Sequence, residues 1–311
     1  MGSPGYFEKN VGREELREVA VAGKWQFNKK AVNKAAVEES NNIKTGEGRA
    51  EVLTVIKIGG NVLDDPEILK IFLRDFSAIA GYKILVHGGG KIASKLSADL
   101  GIEAKLVEGR RITDGESLKV VTMVYAGLIN KSIVAQLQAI DCNAIGLCGA
   151  DGNLIKASIR PVKNINYGFA GDLDENSIAV AQLKKLLEAG LIPVFSAITH
   201  DGKGQLLNTN ADTIASAIAV ALSTDYETSL VYCFEKKGVL QDIRDENSLI
   251  TGIRSSDFES FKEQKIIADG MIPKLQNAFQ SIKNGVKEVY IGKADELPLL
   301  TKKSFGTRLI Q

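Results

Sequence analysis

The chain has 311 residues, enough for one large domain or two, and its 44% apolar and 25% charged content is that of an ordinary globular protein. Its 39 basic residues balance 38 acidic ones and run along the chain without interleaved aromatics, which argues against nucleic acid as a partner. The longest apolar tract lies within 214–222, short of the roughly 20 residues of a membrane span, and the polar start has no secretory apolar core. No membrane partner and a cytoplasmic location are therefore expected.

Residues 1–50 differ in character from the rest of the chain. Met1-Gly2-Ser3-Pro4-Gly5 reads as a flexible or added lead, two charged stretches cover 14–21 and 29–39, and polar 41–49 reads as a linker. A loosely ordered N-terminal extension is expected, with an oligomerisation helix as the other reading.

From Val52 strands and helices alternate, the pattern of an α/β sheet covered on both faces. The first strand holds Lys57 among β-branched residues and ends in Gly59-Gly60. A lysine in such a run is costly to desolvate unless an anion meets it, and paired glycines let backbone N–H groups approach a ligand. Asp65-Pro66 opens a helix that places Ile68, Leu69, Phe72, Leu73 and Phe76 on one face.

A second strand, 82–86, runs through His87-Gly88-Gly89-Gly90 into a helix from Lys91 to Leu100 that Gly101 ends. Helix dipole and free N–H groups add to an anion site there. Two glycine loops at two strand ends suggest one shared pocket. His87 has two readings, a phosphate contact or a strand-end histidine bonded to backbone.

Two arginines, Arg110 and Arg111, stand in the loop before Thr113-Asp114-Gly115-Glu116, which reads as the capping box of a helix to about Gln138. Farther on come a strand at 143–148, a hairpin reaching 168–173, a helix at 176–189 and a buried strand at 191–197. Asn208-Thr209-Asn210-Ala211-Asp212 leads into an apolar helix at 213–222, and a strand at 229–234 departs into the charged loop 235–240. A segment at 257–263, a helix at 272–283, a strand at 288–291 and a tail at 306–309 complete the chain.

Neither glycine loop fits a G-x-x-x-x-G-K-S/T or G-x-G-x-x-G fingerprint. Cys142, Cys148 and Cys233 lack zinc or redox spacing and read as small apolar residues, and two histidines make no metal centre. Asp212 reads either as a site carboxylate or as the cap of its helix, and Arg111 as a ligand-binding group or a surface ion pair.

In order along the chain stand Lys57 with Gly59-Gly60, His87-Gly88-Gly89-Gly90, Gly109-Arg110-Arg111-Ile112-Thr113, Asn208-Thr209-Asn210-Ala211-Asp212 and Asp269-Gly270-Met271-Ile272-Pro273-Lys274. From about residue 52 to its C-terminus the chain resembles the acetylglutamate kinases of the amino-acid-kinase superfamily. The resemblance implies an α/β three-layer sandwich, carbamate-kinase-like, with a mainly parallel central sheet. It implies an acylglutamate-binding lobe at 51–225, a nucleotide-binding lobe at 226–311, and a homodimer.

By the same resemblance Lys57 and Lys274 reach the transferring phosphoryl group and Asp212 orients them. Arg111 holds the α-carboxylate of the acyl amino acid with help from Asn208. Amides at Gly59-Gly60 face the phosphates, and those at Gly88-Gly89 face the γ-carboxylate. Arg110 inherits no role. The expected reaction is phosphorylation of N-acetyl-L-glutamate, or of its N-succinyl counterpart, by ATP with Mg2+ in arginine biosynthesis. A γ-carboxylate is ionised at neutral pH and needs no general base, so the lack of a His or Glu constellation fits.

The sequence departs from the family at Cys233-Phe234-Glu235-Lys236-Lys237-Gly238, where many relatives have an aspartate-containing loop. It also lacks the C-terminal segment of arginine-inhibited members, so no arginine inhibition is expected. The rivals are a superfamily kinase for aspartate, glutamate, carbamate or a nucleoside monophosphate, and a non-catalytic ligand sensor. Retention of both lysines with Asp212 argues against the sensor.

Overall fold

The computed structural model describes residues 51–311 apart from 108, 243, 265 and 268–270. The expected extension over 1–50 lies outside the described residues. β1 (Val52–Ile58) is buried from Leu53 onward, so both of its faces are covered, as a near-continuous apolar run in a parallel strand requires. On either side lie β2 (Tyr82–His87) and β11 (Glu227–Phe234), both parallel to it.

These strands form the middle of an eight-stranded sheet. From edge to edge its order is β12 (Gly252–Arg254), β14 (Thr307–Ile310), β13 (Glu288–Lys293), β11, β1, β2, β8 (Ile192–Ser196) and β5 (Ala144–Leu147). Only β13 and β14 run antiparallel to each other. The residues expected to form a tail, 306–309, are thus largely a sheet strand, and Gly252–Arg254 is a strand that the sequence pattern does not announce.

A second, four-stranded sheet has the order β6 (Ser158–Ile159), β7 (Ala170–Asp172), β10 (Leu206–Thr209) and β9 (Ile198–His200). A small hairpin pairs β3 (Leu106–Val107) with β4 (Arg110–Arg111).

The helices follow their local signals closely. α1 (Gly60–Asp64) leaves β1 at Gly59, and α2 (Pro66–Ser77) starts where Asp65 Oδ1 accepts from the amides of Glu67 and Ile68. Leu69, Phe72, Leu73 and Phe76 of α2 enter the core, with Ile68 at its margin. α3 (Gly90–Asp99) follows β2 directly.

The long helix is capped by Asp114, which accepts from the Ser117 amide, and not by Thr113, whose hydroxyl donates to the Arg111 carbonyl and accepts from the Asn208 amide. It comprises α4 (Gly115–Thr122), a π-helical stretch at Met123–Ile129 and α5 (Asn130–Gln138). By length and composition it is the one helix among the described residues that could cross a membrane. Its Val120, Val121, Val124, Ile133 and Leu137 are instead packed in the core.

α6 (Val180–Glu188) begins four residues later than the pattern suggests. α7 (Ala211–Leu222) packs on β1, β2 and β11, and α9 (Ile272–Lys283) packs on α7 and β13. Between them in sequence, α8 (Phe258–Glu263) is a short surface turn of helix. Cys142 and Cys233 are buried and Cys148 partly so, all three as free thiols.

Candidate active site

Three parallel strands deliver their carboxyl ends to one place, where ligands bind in open α/β sheets. β1 ends in Lys57-Ile58-Gly59, β2 in His87-Gly88-Gly89, and β11 in Cys233-Phe234. Two adjoining cavities open there. The larger, about 860 Å³, is lined by Gly59, Gly60, Lys91, Phe234, Glu235 and Lys274 among others. The smaller, about 220 Å³, is lined by Gly88, Gly89, Arg110, Arg111, Tyr125 and Asn208 among others. Lys57 and Asp212 line both.

Lys57 is 8% exposed, and its Nζ lies 2.8 Å from Asp212 Oδ1. That oxygen has no aligned hydrogen-bond donor, so charge holds the pair. Asp212 does not cap its helix. Asn210 does, accepting from the Thr213 amide, which leaves the carboxylate in the first turn of α7 free to face the lysine. The capping role that the sequence allowed for Asp212 thus belongs to Asn210.

Lys274 projects from the first turn of α9 into the larger cavity. Burial lowers the pKa of its ammonium, Asp212 opposes that shift, Lys57 adds to it, and Glu235 opposes it. The Asp269-Gly270 turn that singled it out in sequence lies outside the described residues.

Arg111 is not a surface ion pair. Its side chain is buried, with Nη2 donating to the Gly90 carbonyl at 3.0 Å and to Ser94 Oγ at 2.7 Å. Nε and Nη1 are buried without an acceptor. These two donors lie on either side of Cδ and so need separate acceptors, and an anion in the smaller cavity that Arg111 lines would relieve the cost of leaving one unpaired. The cation also works against the rise that burial imposes on the Tyr125 phenol next to it.

Asn208 lines the smaller cavity and donates to Thr113 Oγ1 at 3.0 Å, which ties β10 to the loop that carries the arginines. Gly89 sits at the N-cap of α3 with φ 155°. A Cβ there would overlap Ile129 Cδ1 and stand 2.8 Å from Tyr125 Cδ1. At Gly59 a Cβ would find room but would stand 3.7 Å from Lys57 Nζ.

His87 follows the structural reading. It is fully buried, its Nδ1 donates to the Gly88 carbonyl at 2.8 Å, and its Nε2 accepts from Asn130 Nδ2 at 3.1 Å. It holds the glycine loop without touching either cavity.

Sequence reasoning missed several lining residues. Lys91 contacts Asn61 and lies 3.4 Å from Asp64 Oδ2 on the larger cavity's wall. Phe234 places its ring within reach of both site lysines, 5.3 Å from Lys57 Nζ and 4.1 Å from Lys274 Nζ at its centroid. Lys91 had a signal, since it opens the helix after the second glycine run. Phe234 had none, because an aromatic residue ending a strand is unremarkable.

Residues 52–293 match the amino acid kinase family. An acetylglutamate kinase from Cytophaga hutchinsonii is 53% identical over 261 residues, which cover 83% of this chain and 98% of its own. One from Phocaeicola vulgatus is 54% identical over 247 residues, covering 79% and 95%. Among solved structures, a Streptococcus mutans protein superposes with a TM-score of 0.66 at 26% identity, over 83% of this chain and 98% of its own. A Giardia carbamate kinase shares the fold at a TM-score of 0.62 and 13% identity, over 85% and 100%. The chain belongs to the amino acid kinase family and, within it, to the acetylglutamate kinases.

Proposed function

We propose that this enzyme transfers the γ-phosphoryl group of ATP to the γ-carboxylate of N-acetyl-L-glutamate, a step of arginine biosynthesis. The observation that carries this reading is the meeting of the two cavities at the Lys57–Asp212 pair, with the buried Arg111 lining the smaller one and Lys274 the larger. A γ-carboxylate oxygen forms the new bond to phosphorus as the bond to the β,γ-bridging oxygen breaks, and ADP leaves with that electron pair. No proton moves, because the nucleophile is already ionised.

The difficulty is repulsion between a carboxylate and a triphosphate, together with charge on the oxygens in flight. Lys57 and Lys274 face that charge, and Asp212 fixes the position of Lys57. Arg111 grips the α-carboxylate with help from Asn208, and the amides of Gly59-Gly60 and Gly88-Gly89 receive phosphate and γ-carboxylate oxygens. The carboxylates near the larger cavity are Asp64, Asp212 and Glu235, and no group of three acidic, cysteine or histidine side chains gathers among the described residues. That donor set fits a Mg2+ ion that arrives on the nucleotide's phosphates, where it would neutralise their charge.

The two cavities support the two-lobe division, 51–225 for the acylglutamate and 226–311 for the nucleotide. Homodimerisation through the edge of β5, which no strand pairs among the described residues, is supported by Met123 and Leu128, 54% and 63% exposed on the neighbouring long helix. Sedimentation should report twice the chain mass; a monomer at micromolar concentration would reject it.

Arg110 also lines the smaller cavity, which favours as a second reading an acceptor whose acyl group carries its own carboxylate, N-succinyl-L-glutamate. Trapping the acyl phosphate with hydroxylamine tests both. Hydroxamate with N-acetyl-L-glutamate supports the first reading, and preference for the succinyl substrate supports the second. No product from either acceptor, with ATP still bound, would point to another acceptor or to a ligand sensor.

A further inference from the structure

We propose that Phe234 is a positioning residue for phosphoryl transfer, a shared cation–π platform that holds Lys57 and Lys274 beside the transferring group without cancelling their charge. The inference rests on the proposed role of those lysines in phosphoryl transfer.

The two lysines pose a problem that the ion pair solves only in part. Both must be cations in a partly dry cavity, and each repels the other. Asp212 anchors Lys57 at 2.8 Å, but every further carboxylate would subtract from the positive field that the phosphoryl oxygens need. An aromatic face attracts a cation through its quadrupole and carries no net charge. The Phe234 ring lies 4.1 Å from Lys274 Nζ and 5.3 Å from Lys57 Nζ, both inside the roughly 6 Å range of the interaction.

The platform is itself fixed. Phe234 ends β11, and two residues earlier on the same strand face Tyr232 stacks on it, with centroids 6.3 Å apart and planes at 21°. Tyr232 is paired with Lys57 across the parallel β1–β11 ladder, is 4% exposed, and directs its hydroxyl to the Asp212 carbonyl oxygen at 3.4 Å. Burial pushes the Tyr232 phenol far above its ordinary range, so it stays neutral beside the carboxylate. Strand, ring, both lysines and Asp212 thus form one set.

The test replaces Phe234 with 4-fluoro-, 3,5-difluoro- and 3,4,5-trifluorophenylalanine, which weaken the quadrupole stepwise at nearly constant ring size. The expected result is a stepwise fall in kcat with KM for N-acetyl-L-glutamate held within about twofold. Phe234→Leu should lower kcat about 2- to 30-fold, the rate equivalent of about 0.5–2 kcal/mol, and Phe234→Tyr should restore most of it. The ring stabilises the lysine cations, so along the fluorine series the Lys274 side-chain resonance, assigned against Lys274→Ala, should titrate at progressively lower pH. This readout needs no turnover.

A flat kcat and an unmoved Lys274 titration across the series would overturn the platform. Lys57→Ala and Lys274→Ala run beside it separate the two claims. If these variants lose turnover while the fluorine series is flat, only the role of Phe234 falls. If they keep wild-type turnover, the lysine assignment falls and the platform with it.

Discussion

Individual side chains set the chemistry through charges held where water has been thinned out. Lys57 and Lys274 each place an ammonium near the junction of the cavities, and removing one electrostatic stabiliser from such a site typically lowers turnover by about 10²–10³. Lys57→Ala and Lys274→Ala should each show a fall in kcat of that order in the hydroxamate assay, and near-wild-type turnover in either would remove that lysine from the mechanism. Arg111 should behave differently. Its planar guanidinium lines the smaller cavity, and lysine offers only a point charge in its place. Arg111→Lys should therefore raise KM for the acyl amino acid at least tenfold while kcat changes less. An unchanged KM would hand the α-carboxylate to Arg110 or another group.

Elements set where those charges stand, and here glycine decides more than any side chain. Gly89 caps α3 at φ 155°, and its missing Cβ leaves room for Ile129 and Tyr125 of the long helix. Gly89→Ala would force a strained backbone and an overlap at once, so a loss of about 1–3 kcal/mol in unfolding free energy is expected, with KM rising as the α3 N-terminus shifts. Urea unfolding and kinetics on the same preparation would check both.

What the sequence made legible at this scale were local signals. Strand runs, the Asp65-Pro66 cap and the paired glycines are written in neighbouring residues, and so is the motif order that carried Lys57, Arg111, Asn208, Asp212 and Lys274. What it hid depended on distant partners. Thr113 looks like a cap until Asn208 arrives from β10 to occupy its hydroxyl, and Asp114 then takes the role. The residues 306–309 look like a tail because the partners that make most of them a strand, β13 and β12, lie outside their own neighbourhood. Phe234 becomes informative only when two lysines far apart in sequence reach its ring.

At the scale of the whole molecule, the glycine loop of the smaller cavity is moored to the core by His87. The imidazole is fully buried at the end of β2, bonded forward to the Gly88 carbonyl and sideways to Asn130 of α5, whose amide also donates to the Val194 carbonyl on β8. Burial pushes its pKa down to about 4, only partly offset by the bond to Gly88, and Lys131 lowers it further.

In the unfolded chain the same imidazole titrates near 6.5. Above that pH both states are neutral and the group has no effect. Below it the unfolded state takes up a proton that the folded state refuses until about pH 4, so stability falls as the pH drops through this window, by about 1.4 kcal/mol per pH unit. The low-lying carboxyls of Asp114, Asp201 and Asp242 act elsewhere, since their stabilisation is present above about pH 4 and is lost only below it.

The two windows can be separated by experiment. Between pH 7 and 5 the unfolding free energy should drop by about 2 kcal/mol, and His87→Gln, which keeps a donor and an acceptor but cannot titrate, should flatten that drop while leaving the loss below pH 4 in place. Equal slopes in the two proteins would mean that a different group senses this range and that His87 is only packing. A flattened slope would tie the acid limit of the enzyme to the strand end that presents Gly88 and Gly89, so the smaller cavity should loosen before the rest of the sheet as the solution is acidified.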